Sequence, residues 1–195
     1  MKTKPKFPRE DALKVAKAIY DRLSPFCERC KVVGSLRRGK RFVSDIEFLF
    51  IPKRVIDPET FFNSLLGDSP ADMVSLADNQ IDNMELVGYL KKRLSVTGVP
   101  AWGNCNKLAI HSESGIPVDF FATTPEKWWV SLVIRTGGKL TNLTLTMGAN
   151  KKGLRLNAYG EGFTNLLTGD KVPCTSEEQV FDIAGVPFRR PEFRQ

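Results

Sequence analysis

An α+β fold follows from three features of the sequence. Apolar residues recur at three- and four-residue steps between Pro8 and Leu23. They alternate with polar residues from Asp45 to Ile51, and after Pro125 the pattern becomes densely apolar and aromatic. That change sets a boundary near residue 124, between a larger lobe over 1–124 and a smaller one over 125–195, with no repeats or low-complexity tract. With 195 residues, 42% hydrophobic and 26% charged, the chain has the make-up of a globular protein. A disordered chain, a collagen and a disulfide-dense mini-protein are excluded. No run approaches the ~18–20 apolar residues of a membrane span, and no apolar core follows the basic N-terminus. A cytoplasmic protein without membrane association is therefore expected.

Pro8 to Leu23 is the first helix, with Ala12, Leu13, Ala16, Ile19, Tyr20 and Leu23 on its apolar face. Pro8 suits its first turn and Pro25 stops it. Lys31 to Val33 is a short strand that turns through Gly34-Ser35 into a basic segment, Leu36 to Arg41. The strand Asp45 to Ile51 sends Ile46, Phe48 and Phe50 to one side and Asp45, Glu47 and Leu49 to the other. Pro58 to Leu66 reads as a helix with Phe61, Phe62, Leu65 and Leu66 as its apolar side, and Asp78 to about Leu94 as another. Lys107 to His111 and Ile116 to Ala122 form a hairpin in which Pro117 takes an edge, a bulge or a non-donating position. Glu126 to Arg135 is an apolar helix ended by Gly137-Gly138. Thr141 to Gly148 is a further element and Leu154 to Tyr159 a strand. Thr175 with Glu178 has capping-box spacing before a last short helix that stops near Gly185.

Three carboxylates carry the chemistry: Asp45, Glu47 and Asp119. Asp45 and Glu47 leave the same face of one strand, with Cα atoms roughly 6.5 Å apart at a rise of ~3.3 Å per residue. If the strand with Asp119 lies beside it, the three converge and repel one another unless cations neutralise them. Hard oxygen donors with open positions suit Mg²⁺ or Mn²⁺, and two such ions ~3.5–4 Å apart support in-line phosphoryl displacement. The turn at Gly34-Ser35 supplies the complementary half. Gly34 admits a close ligand, the N–H groups that follow can hold phosphate oxygens, Ser35 adds a hydroxyl and Arg38 a fixed charge. An excess of 29 lysines and arginines over 22 acids, net +7, favours a polyanionic partner.

The stretch GSLRRGKRFVSDIE, Gly34 to Glu47, resembles the signature of the DNA polymerase β nucleotidyltransferase superfamily, and Arg37-Arg38-Gly39 narrows the likeness to family X DNA polymerases. VDFF around Asp119, RTGGKLTN from Arg135 to Asn142, NAYG from Asn157 to Gly160 and the closing SEEQVFDIAGVPFRRPEFR resemble further family motifs in order. The resemblance implies a polymerase β-like palm of mixed sheet and helices over 1–124, and a small α+β nucleotide-binding lobe over 125–195. It implies metal-dependent transfer from a nucleoside triphosphate to a primer 3′-hydroxyl, with two Mg²⁺ ions that Mn²⁺ can replace. Gapped or nicked DNA would be the substrate, short gap filling in repair the role, and a monomer the acting form. Asp45 and Glu47 would bridge both metals, and Asp119 would bind the catalytic one and help deprotonate the primer. Gly34, Ser35 and Arg38 would hold the β- and γ-phosphates, with Lys6 near the place of a triphosphate-reaching arginine. Gly137 would lie under the sugar and Asn142 would reach the minor-groove edge of the base. Arg37 reads equally as a phosphate neighbour and as a brace through a salt bridge.

Departures from the family pattern bear on selectivity. The second acid is Glu, Ile134-Arg135 stands where many members carry Tyr-Phe, and Thr146 stands near a template-strand arginine. No room is seen for a lyase lobe or helix-hairpin-helix modules, so no lyase activity and a weak, salt-sensitive DNA grip are expected. Lys151, Lys152 and Arg155 form a candidate DNA-backbone patch. His111, the single histidine, is read as structural, Trp128 and Trp129 as core rather than base-stacking, and Phe163, Phe181 and Phe188 as packing. Cys27, Cys30, Cys105 and Cys174 are read as free thiols, with a local Cys27–Cys30 disulfide left open. Template-independent terminal transfer, transfer to a small molecule or protein, and a catalytically silent nucleic-acid-binding module are the competing readings.

Overall fold

A computed structural model describes residues 5–67, 70–94, 98–157 and 162–195. The first helix, α1 (Arg9–Leu23), starts one residue after Pro8, which is its N-cap. Its buried stripe is Ala12, Ala16, Ile19 and Leu23, while Leu13 and Tyr20 border it and stay exposed. Strand β1 (Cys27–Val32) begins four residues earlier than the sequence pattern suggests. A register shift between Cys27 and Arg29 leaves Glu28 and Arg29 both facing solvent, which hides the alternation. All four cysteines are free thiols.

One turn of helix, α2 (Gly34–Arg37), leads to β2 (Ile46–Pro52), whose residues are almost all buried. Ile46, Phe48 and Phe50 enter the main core beneath α1, and Leu49 and Ile51 meet Trp128 and Leu132 on the opposite face. A strand covered on both faces needs apolar residues on both, which the run from Phe48 to Ile51 supplies.

The middle of the chain corrects two expectations. Helix α3 (Pro58–Leu65) buries none of its residues. Phe61, Phe62, Leu65 and Leu66 are 45–67% exposed, and the ribbon Arg54–Ile56 with Met73–Ser75 beside α3 is exposed or half-buried. Helix α4 (Leu76–Leu86) ends well before residue 94. Gly88 adopts a left-handed φ of +75° and reverses the chain into β3 (Leu90–Lys92). Strands β4 (Asn106–His111) and β5 (Pro117–Ala122) form the expected hairpin, with Pro117 at the first position of its strand.

The resulting sheet has the order β1-β2-β5-β4-β3, with β2 and β5 parallel and the other pairs antiparallel. Helix α5 (Trp128–Thr136) lies on the face away from α1. Trp128 is 5% exposed and belongs to the core, while Trp129 is half-buried and packed against it, with the Arg29 guanidinium 5.7–5.8 Å from both indole rings. Helix α6 (Lys139–Lys151), strands β6 (Leu154–Asn157), β7 (Gly162–Asn165) and β8 (Lys171–Val172), and helix α7 (Glu177–Ala184) surround a second core. Val133, Leu145, Phe163 and Phe181 fill it. The capping box of α7 falls one residue later than expected. Ser176 accepts from the Gln179 N–H, and the Gln179 side chain accepts from the Thr175 N–H. Among the described residues no helix is long and apolar enough to cross a membrane.

Candidate active site

Parallel pairing of β2 with β5 places Glu47 and Asp119 as direct Cα partners. The strand begins at Ile46, one residue later than the alternation suggests, so Asp45 stands just before it, yet close enough to act on the Glu47 charge as Asp119 does. The Gly34 turn lies against Glu47. The Val33 N–H donates to the Glu47 carbonyl at 2.8 Å, and a Cβ on Gly34 would overlap the Glu47 carboxylate. Gly34 also holds φ +63°, so two independent reasons demand glycine there. Replacing it by alanine should cost about 1–3 kcal/mol in backbone strain alone and push Glu47 aside, a loss that urea unfolding will measure.

Burial raises the Glu47 pKa to about 7, Asp45 and Asp119 push the same way, and Arg135 and Arg38 oppose them. An acid with a raised folded pKa resists charging. Its penalty is absent below the usual value of 4.5, grows between 4.5 and about 7, and is complete above that. In chelator, wild type should therefore lose about 1–3 kcal/mol across this window relative to Glu47→Gln, as pH-dependent unfolding will show.

Asp45 and Asp119 both act on the Glu47 charge, so the three acids lie near one another. Among the described residues no three such side chains already close into a cage. Ser35 supports an anionic ligand here, because its Oγ is buried with no hydrogen-bond partner.

The other candidates divide. Arg38 Nη1 donates to the Thr136 carbonyl at 2.6 Å, while its buried Nε has no partner, so it ties the turn to the end of α5. Arg37 is a brace. Its guanidinium donates to the Thr136 hydroxyl at 2.7 Å and pairs with Glu177, which also pairs with the fully buried Arg194. Gly137 and Asn142 come together: a Cβ on Gly137 would overlap the Asn142 amide, whose Nδ2 donates to the Ile134 carbonyl at 2.9 Å. Lys6 is exposed next to the short pairing of Phe7 with Val43. Lys151, Lys152 and Arg155 are exposed, and Lys152 Nζ donates to the Asp182 carbonyl at 3.0 Å. They cluster around the far end of α6, ~13 Å along the axis from Asn142. His111 is buried, with Nδ1 2.8 Å from the Ser114 hydroxyl, and serves the hairpin. Ala158 to Gly160 of the NAYG motif lie outside the described residues.

Sequence reasoning missed two cations at the acids. Arg93, just after β3, forms an ion pair with Asp119 at 2.8 Å. Arg135 stacks 3.4 Å over the Phe121 ring and acts on Glu47. Asp119, Phe121, Lys127 and Arg135 line a cleft of about 540 Å³. Arg135 had shown only as a departure from a motif, and nothing local marks Arg93.

Residues 131–195 match the DNA polymerase beta thumb family model. That match spans the last two-thirds of α5, α6, the three-stranded sheet and α7, together with the Thr136 and Glu177 contacts that tie them to the Gly34 turn. The chain is family X DNA polymerase-like. It is 24% identical over 199 residues to DNA polymerase lambda of Rattus norvegicus, a match covering 97% of this chain and 33% of that protein. The chain thus spans about a third of the length of this curated family X relative. The α+β architecture and mixed central sheet agree with a nucleotidyltransferase-like fold.

Proposed function

We propose that the chain is a DNA-directed DNA polymerase that transfers a nucleotidyl group to a primer 3′-hydroxyl, in short gaps of a damaged duplex. The observation that carries this reading is the ladder partnership of Glu47 and Asp119, with the Gly34-Ser35 turn against Glu47. The lobe over 1–124 supplies the acids and the turn, and the lobe over 125–195 supplies Gly137 and Asn142 for sugar and base.

In this reading Asp45, Glu47 and Asp119 would hold two Mg²⁺ ions, which Mn²⁺ could replace. Bound ions neutralise charge at the attacking and leaving oxygens and make the hydroxyl a better nucleophile. Ser35 and the N–H groups after Gly34 bind the terminal phosphates, and the Arg38 charge stands close behind. Asp119 accepts the hydroxyl proton. The 3′-oxygen forms a bond to the α-phosphorus, the bond to the β-phosphate bridge breaks and pyrophosphate leaves. The protein's contribution is mainly position and charge.

Purified protein, a labelled gapped primer-template and each nucleoside triphosphate in turn test the proposal. The expected result is Mg²⁺-dependent extension by the complementary deoxynucleotide. Extension that ignores the template would favour terminal transfer, and failure to extend any nucleic acid would overturn the reading.

A further inference from the structure

The C-terminal tail bears a shallow groove of about 640 Å³ lined by Phe188, Arg189, Arg190 and Phe193. Phe193 is 63% exposed and Phe188 39%, so Phe188 packs with one part of its ring, as the sequence suggested, and leaves the rest open. Both arginines are exposed and lack an ion-pair partner among the described residues. Glu192 is the one acidic side chain on this tail.

The groove is held in shape from behind. Phe188 meets the buried Phe181 edge-on at 5.4 Å, with the Arg194 guanidinium 5.5 Å from its ring. Phe193 ends a single helical turn, Pro191–Phe193. Just beyond it, the Gly138 N–H donates to the Arg194 carbonyl and the Thr141 N–H to the Gln195 carbonyl, at 3.0 and 2.8 Å. The groove is thereby anchored to the start of α6, beside Gly137 and Asn142.

Two aromatic faces beside two unpaired guanidinium groups match one ligand chemistry best. An acidic peptide would satisfy the arginines and leave the rings wet, and an apolar partner would strand the charges. Unpaired bases on a phosphate backbone answer both. We propose that this groove binds single-stranded nucleic acid, with Phe188 and Phe193 stacking on bases and Arg189 and Arg190 contacting phosphates. Only the source of the strand, the unpaired template beyond the nascent pair, rests on the polymerase reading.

The test is a fluorescence-anisotropy titration of the full chain with a labelled oligothymidylate, in chelator and without nucleotide. Phe193→Ala should weaken binding about tenfold. The double variant Arg189→Ser, Arg190→Ser should lower the log–log salt slope by about 1.4. Both are surface changes, so thermal unfolding should stay at the wild-type value. Wild-type affinity and slope in both variants would overturn the proposal. So would loss of self-association in Phe193→Ala with oligonucleotide binding intact, which would mark a contact between copies. Oligonucleotide binding that responds as expected, with no extension of any primer, would sink the catalytic reading and leave the groove standing.

Discussion

Glu177→Ala is expected to destabilise the protein by about 3–5 kcal/mol, the usual cost of removing one partner from a buried ionic cluster. The Glu177 side chain is 12% exposed and lies between Arg37, 14% exposed, and Arg194, fully buried. Burial opposes its charge, but hydrogen bonds from Arg37 and Arg194 outweigh burial and hold its pKa below the usual 4.5. Without it, two guanidinium groups face each other in a dry site. Glu177→Gln should keep the shape and lose most of the stability, which separates charge from packing. The linkage has a definite sign. The contribution of a depressed carboxylate is complete above pH 4.5 and fades as pH falls through its lower folded value, so wild type and Glu177→Gln should converge in acid. Urea unfolding at neutral and acidic pH will measure both effects. A loss under about 1 kcal/mol at neutral pH would mean that water already satisfies the arginines. Because Arg37 closes α2 directly after Ser35, nucleotide affinity should fall with stability.

Asp119→Ala should abolish primer extension while leaving much nucleotide binding and the fold intact. Asp119 is the side chain set against Glu47 across the ladder and paired with Arg93. Removing it relieves part of the repulsion on Glu47, so no large loss of stability is expected. The Gly34-Ser35 turn, proposed to hold the phosphates, is on a separate element and does not depend on Asp119. Extension of a gapped primer-template, together with titration of a fluorescent nucleoside triphosphate, separates the two roles. Near wild-type extension by the variant would remove Asp119 from the chemistry.

Much of the N-terminal part of the chain was legible locally. The alternation at 46–51 and the apolar steps of α1 gave strand and helix, and the Gly34-Ser35 turn, common by itself, stood out because the acid pair and a third acid follow it in order. Residues 52–94 were legible in part: both helices stand where the spacing put them, but the burial of the first and the end of the second were not. Phe61, Phe62, Leu65 and Leu66 repeat with helical period, yet α3 packs on nothing that covers them. Helical spacing through residue 86 masked the reversal at Gly88, after which three residues suffice to add an edge strand. At the site, Arg93, Arg135 and Glu177 were missed because an arginine or glutamate looks the same in sequence whether its partner is water or a buried carboxylate.

By itself, the sequence determined which face of its strand Glu47 leaves, where the glycine turn falls and which runs are apolar enough for a core, because these depend on neighbours a few bonds away. Only the tertiary structure decided that β5 lies parallel beside β2 in the register that joins Asp119 to Glu47, and that Arg37 reaches Glu177. A period of two assigns side chains to faces but contains nothing about which strand is adjacent. That choice is made by burying both faces of β2 at once, under α1 and α5, which couples segments far apart in the chain.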